Sequence, residues 1–182
     1  MVKISFVKKV FYSVIFLLPS GIGGTCLACP EMEKTTSVTC STEVRNTSIP
    51  LRYHSIWQRA EGGDVMAMLV CGDICLTGNG VRQDYAEALT WYRRSAQEGN
   101  AKAEWRIGYM YQFGKGVSPD LEEAANWYRK SASQEDPIGQ WRLGTLYRHG
   151  KGVRQDLKEA IRLYSLAASQ GDSYAQNDLG VM

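Results

Sequence analysis

The feature that most constrains this chain is an uninterrupted self-similarity at a spacing of 36 residues. Cys71-Gly72, Ile107-Gly108, Leu143-Gly144 and Leu179-Gly180 follow one another at that interval, as do the turns Gly78-Asn79-Gly80-Val81, Gly114-Lys115-Gly116-Val117 and Gly150-Lys151-Gly152-Val153. Asp84, Asp120 and Asp156 keep the same register. A repeat this short cannot bury its own apolar face, so neighbouring copies must stack into one continuous core.

Each unit holds two segments with helical periodicity. In the first, helix A, Ala103, Ile107, Met110 and Tyr111 form one apolar stripe; its counterparts are Ala67, Cys71, Ile74 and Cys75, and then Gly139, Leu143, Leu146 and Tyr147. In helix B the stripe is Tyr85, Ala88, Leu89, Tyr92 and Ala96, repeated as Leu121, Ala124, Ala125, Tyr128 and Ala132 and as Leu157, Ala160, Ile161, Tyr164 and Ala168. The fold class is therefore all-α, a solenoid of tandem 36-residue helix pairs.

The punctuation says where the chain turns. Paired glycines end helix A, since glycine takes a positive φ at little steric cost. Asp84 with Glu87, Asp120 with Glu123 and Asp156 with Glu159 have the spacing of a capping box at the start of helix B. Asn100, Asp136 and Asp172 are placed to cap each following helix A, with Pro137 in a first-turn position that needs no N–H. Glu135 stands where Gly99 and Gly171 stand in the other units, so its turn is expected to be strained. Gly72, Gly108 and Gly144 are expected to let helices approach closely.

Ile56, Ala60, Gly63 and Asp64 match positions one repeat later, making the stretch from Ile49 to Glu61 a surviving helix B of a degenerate unit. The repeat domain then spans 49–182: a half unit at 49–63, repeats at 64–99, 100–135 and 136–171, and a partial repeat at 172–182. Ahead of it, residues 29–48 are rich in Thr, Ser and Glu without helical period and read as a flexible polar segment. Lys3, Lys8 and Lys9, the apolar run from Val10 to Leu18 and the small residues up to Ala28 have the layout of a signal peptide over 1–28. That apolar run is about half of the roughly 20 residues a membrane span requires. The expectation is an exported protein, periplasmic or secreted, with no stable membrane insertion after cleavage.

The pattern of Ala103, Ile107, Gly108, Tyr111, Gly114, Gly116, Val117, Asp120, Ala124, Trp127, Tyr128 and Ala132 resembles the Sel-one-like repeat family, relatives of tetratricopeptide repeats. The first unit departs from it, with Cys71 and Cys75 at the Leu and Tyr positions. The resemblance implies a right-handed α/α superhelix of antiparallel helix pairs serving as an adaptor surface, often in exported bacterial proteins with diverse partners. A protein–protein interaction module whose partner is a protein or peptide follows from it. The alternative it implies is a cell-wall or β-lactam-type ligand binder or hydrolase akin to the family's cysteine-rich members. Those relatives bridge helix A to helix B within each unit, and no helix B here contains cysteine.

Opposite the helix A stripe lie Trp105, Tyr109 and Gln112, matched by Trp141, Thr145 and Arg148 in the next unit and by Leu69, Asp73 and Leu76 in the preceding one. In helical-pair solenoids the A helices line the inner groove. Trp, Tyr and Arg are the residue types that most often carry interface energy, so this aromatic and polar ladder is the candidate partner-binding surface. Arg106 and Arg142 flank it and are read as pairing with a partner's carboxylates. The competing reading is that Trp105 and Trp141 simply pack against adjacent helices; Trp91 and Trp127, each beside a core tyrosine on helix B, are read as structural.

Lys and Arg total 21 against 19 for Asp and Glu, which gives no electrostatic footprint for nucleic acid. The two histidines, His54 and His149, lie in different units without a ligand or triad constellation, so neither a metal, a cofactor nor catalytic activity is expected. In an oxidising compartment Cys71 and Cys75, one turn apart on one helix, are too constrained to bridge each other. A disulfide from Cys40 to Cys71 or Cys75, tying the polar segment to the first unit, is compatible with the sequence.

Overall fold

The computed structural model describes residues 49–182, and the expected signal peptide, the expected polar segment and Cys40 lie outside them. The described residues form eight helices: α1 (Leu51–Glu61), α2 (Val65–Thr77), α3 (Tyr85–Gln97), α4 (Ala101–Phe113), α5 (Leu121–Ser133), α6 (Pro137–His149), α7 (Leu157–Ser169) and α8 (Ser173–Val181). Each packs against its neighbours in the chain, and α4 also reaches α6. Helices α2, α4, α6 and α8 are the A helices, while α1, α3, α5 and α7 are the B helices.

The repeated glycines and tyrosines explain why each pair closes so tightly. A Cβ on Gly108 would stand 2.7 Å from the Tyr128 ring and 3.1 Å from the Ala124 carbonyl oxygen. Gly72 and Gly144 meet Tyr92 and Tyr164 in the same way. The three tyrosines are fully buried, as are Ala88, Ala124 and Ala160 beneath them. Burial holds each phenol in its neutral form; the Tyr92 and Tyr128 values are pushed well above the ordinary range.

Every A helix after the first described turn is capped as its sequence indicates: side chains of Asp64, Asn100, Asp136 and Asp172 accept from backbone N–H groups one turn in. Glu135 has φ 63°, the one non-glycine among the described residues with a positive φ. The B-helix caps differ from the expected capping box in one respect. Asp84, Asp120 and Asp156 do accept from the N–H of Glu87, Glu123 and Glu159. Their own backbone N–H groups donate instead to the carbonyls of Cys75, Tyr111 and Tyr147 in the A helix. That leaves no donor for the glutamates, so Glu123 receives the Trp127 indole and Glu159 receives Arg162.

A second correction concerns α7, where Leu157 and Ile161 are exposed although the stripe placed them inside. In the earlier units this position is covered by the next unit's turn. A Cβ on Gly116 would meet the Tyr85 backbone at 2.9 Å, and one on Gly152 would collide with the Leu121 carbonyl. No such turn lies over Leu157 among the described residues; α7 buries Leu163 and Ala167 instead.

Candidate functional site

All seven residues of the expected groove, Trp105, Tyr109, Gln112, Trp141, Arg142, Thr145 and Arg148, are half-buried on α4 and α6. Four of them converge. The Arg142 guanidinium carbon lies 5.0 Å from the Trp141 ring centre, 5.2 Å from Tyr109 and 5.7 Å from Trp105. A cation is drawn to the negative face of an aromatic ring, so three rings hold this guanidinium without a carboxylate, and it also interacts with the Tyr128 hydroxyl. The Arg142 Nε and the Trp105 Nε1 are both buried and make no hydrogen bond. Tyr109 stacks obliquely on Phe113, whose outer side is exposed, at 4.6 Å between centroids.

The other three are engaged within the fold. Gln112 accepts from the Tyr128 hydroxyl at 2.7 Å, and Thr145 receives the Tyr164 hydroxyl at 3.2 Å. Arg148 approaches Asp178 at 3.4 Å. Trp141 also ends against α8: its indole donates to Asp178 at 2.7 Å and stacks on Tyr174 at 4.9 Å. Asp178 was missed from the sequence, although it sits one repeat after Arg142 with the charge reversed.

Arg106 is corrected. It lies over Trp105 at 4.4 Å, but its Nε and Nη2 both bond the Asp73 carboxylate, which also accepts from the Tyr92 hydroxyl at 2.7 Å. The reason is geometric: on adjacent A helices residue 106 stands beside residue 73, and there the chain supplies its own counter-ion. At the next step the same relation brings Arg142 to Tyr109, a ring in place of a carboxylate.

Trp91 is buried and Trp127 packs on the core with Lys130 over its face at 3.9 Å, as the structural reading held. Cys71 and Cys75 are both buried. Burial pushes the Cys71 thiol up to about 12, so it carries no thiolate at neutral pH. His54 is half-buried on α1 and His149 exposed at the end of α6. Among the described residues there is no group of three or more His, Cys, Asp or Glu able to hold a metal, and no helix long and apolar enough to cross a membrane.

Stacked helix pairs with a half-buried aromatic and cationic face on the A helices define a helical-repeat solenoid of the protein-interaction type. The chain belongs to the Sel1 repeat family, whose model matches residues 65–100, 101–136 and 137–172. It is similar to c5321, a protective antigen of uropathogenic Escherichia coli displaying an SLR fold, with TM-score 0.68 and 35% identity over 72% of this chain and 28% of that one. A Sel1 repeat protein from Oxalobacter formigenes superposes with TM-score 0.64 and 34% identity, over 70% of this chain and 96% of the other. Helicobacter pylori cysteine rich protein B, at TM-score 0.57 and 23% identity, shares the fold. Among curated proteins, the ERAD-associated E3 ubiquitin-protein ligase component HRD3A of Arabidopsis thaliana is 37% identical over 62 residues, 34% of this chain and 9% of that protein. The chain thus spans about a tenth of the length of the curated relatives it matches.

Proposed function

We propose that this protein is an exported adaptor that receives a protein or peptide partner in the groove centred on Arg142. The observation that carries the reading is the cluster itself: a guanidinium held by Trp105, Tyr109 and Trp141, with no carboxylate of its own, on a face where Arg106 and Arg148 are both neutralised from within. Aromatic side chains and arginine supply contact area and directed hydrogen bonding at low entropic cost, which is what a binding surface needs. The similarity of 62 residues to an E3 ubiquitin-protein ligase component supports the adaptor role. Export rests on the cationic and apolar start of the sequence.

The test is site-specific photocrosslinking in cells with the crosslinker at Tyr109, compared with one at the exposed helix B residue Thr90. A discrete adduct at 109 that is lost with Arg142→Ala supports the reading. Equal adducts at both positions, or adducts indifferent to Arg142, would overturn it. The mass of the mature N-terminus reads out export: a chain retaining residues 1–28 is not processed as proposed.

A further inference from the structure

Adjacent A helices meet at a repeated point, where an arginine stands beside the residue 33 positions before it. Between α2 and α4 that residue is Asp73: Nε and Nη2 of Arg106 both bond its carboxylate, and the Tyr92 hydroxyl donates to it at 2.7 Å. Between α4 and α6 the same relation sets Arg142 beside Tyr109, with the guanidinium carbon 5.2 Å from the ring centre. A ring has replaced an anion, and the Tyr128 hydroxyl, counterpart of Tyr92, donates to Gln112 instead.

Nothing else on this face restores the missing charge. The ion pairs among the described A helices are Arg106 with Asp73 and Arg148 with Asp178, and Arg142 belongs to neither. Helix α6 contains no acidic residue. The one in α4, Glu104, is buried and accepts from Gln134 on the B-helix side. The Arg142 Nε is buried without a hydrogen bond, while the side chain as a whole is only half-buried. Rings that keep water from part of a guanidinium raise what it gains from an anion, because charges interact more strongly where the solvent screens them less.

Resting on the groove reading above, we infer that the partner presents an aspartate or glutamate side chain to Arg142, supplying from outside the carboxylate that Asp73 supplies to Arg106 from within. A planar guanidinium meets a planar carboxylate through two parallel N–H bonds, as Arg106 does. A side chain is favoured over a chain terminus by the setting of Arg142. Capture of a terminal carboxylate uses a nest of free backbone N–H groups. Arg142 lies in the middle of α6, where those groups belong to the helix ladder, and the start of α6 is already capped by Asp136. Next to the site Phe113, 53% exposed and 4.6 Å from Tyr109 between ring centroids, offers an apolar surface to a residue flanking the acidic one.

The experiment follows the Arg142 Nε–H and the Trp105 indole N–H by heteronuclear NMR in the full-length chain at low ionic strength. The probes are N-acetyl-Leu-Glu-Leu-amide, N-acetyl-Leu-Gln-Leu-amide, and N-acetyl-Leu-Gln-Leu with a free terminal carboxylate. Saturable shifts are expected with the glutamate peptide, at least about tenfold tighter than with the other two and weakening as salt is added. Tyr109→Asp gives Arg142 an internal carboxylate at the position of Asp73, and is expected to bring the glutamate peptide down to the affinity of the glutamine peptide. Arg142→Gln is expected to do the same, and decides alone if Tyr109→Asp fails to fold. Equal affinity for the glutamate and glutamine peptides would overturn the inference and leave the groove standing. Tightest binding by the free terminal carboxylate, no saturable shift with any peptide, or unchanged affinity in a folded variant would overturn it too. Photocrosslinking at Tyr109 decides separately whether the groove receives a partner.

Discussion

The contact between the first and second units and the contact between the second and third share a backbone plan and differ in chemistry. At the first, Asp73 neutralises Arg106, Arg93 closes on Tyr111, and the crevice between α3 and α5, lined by Trp127, measures about 340 Å³. At the second, Arg142 has rings instead of a carboxylate, Arg129 has turned away from Tyr147, and the crevice between α5 and α7, lined by Leu163, measures about 650 Å³. One contact neutralises its own arginine; the other leaves a cation without a counter-ion and a wider crevice. A repeat array thus keeps its stacking constant and changes what it can bind by altering a few side chains at one junction.

The largest test of that comparison concerns the part the two contacts are said to share. Gly108→Leu drives a side chain into the Tyr128 ring, and Gly144→Leu does the same at Tyr164. Each is expected to cost about 3 kcal/mol or more, read as loss of a cooperative melting transition. If one were tolerated, the two units would not be packed alike. Next, Asp73→Asn removes the counter-ion at the first contact and should cost about 1–2 kcal/mol after discounting for the solvent that reaches it. Arg142→Ala removes cation–ring contacts and an interaction with the Tyr128 hydroxyl, but no ion pair, and should cost about 0.5–1 kcal/mol. Urea unfolding of the two variants measures the gap, and equal costs would erase the distinction between a paired and an unpaired arginine.

A smaller effect separates Glu104 from Gln140, which occupy one position in consecutive units. Glu104 is buried and accepts from Gln134 at 2.7 Å, as Gln140 accepts from Gln170. Burial raises the Glu104 pKa, with the Gln134 hydrogen bond and Lys130 opposing it. The folded state therefore holds this proton more tightly than the unfolded state. Its stabilising contribution is present below the ordinary carboxylate range and is lost as pH rises through the folded value. Glu104→Gln should consequently stabilise the chain at neutral pH, by about 1 kcal/mol or less, and the gain should vanish in mild acid. Melting temperatures across that pH range check it. The smallest change is Glu135→Gly, which relieves a side chain held at φ 63° and should stabilise by about 0.5 kcal/mol.

The helices, caps and core tyrosines were legible because each is fixed by residues close in sequence and repeated three times. Gly108 and Tyr128 recur at Gly72 and Tyr92 and again at Gly144 and Tyr164, so one unit confirms the next. Arg106 was misjudged because its partner is set by the packing of adjacent A helices, a relation that periodicity within one helix does not contain. Leu157 and Ile161 were misplaced for a related reason: an apolar stripe shows which side wants cover, whereas the cover comes from the turn of another unit. The wider crevice between α5 and α7 had a sequence signal, the joint change of Trp127 and Lys130 to Leu163 and Leu166, but its meaning required knowing that the two positions face one crevice.

The seating of each turn on the preceding unit also orders the assembly in time. Gly116 rests on the start of α3 and Gly152 on the start of α5, so the surface that receives a turn always lies earlier in the chain than the turn itself. The B-helix cap adds a local latch, because the N–H of Asp120 reaches back to Tyr111 in the helix just completed. A polypeptide emerging from its N-terminus therefore finds every docking place already built. Such a chain can fold in the direction in which it is made, without waiting for its last residues.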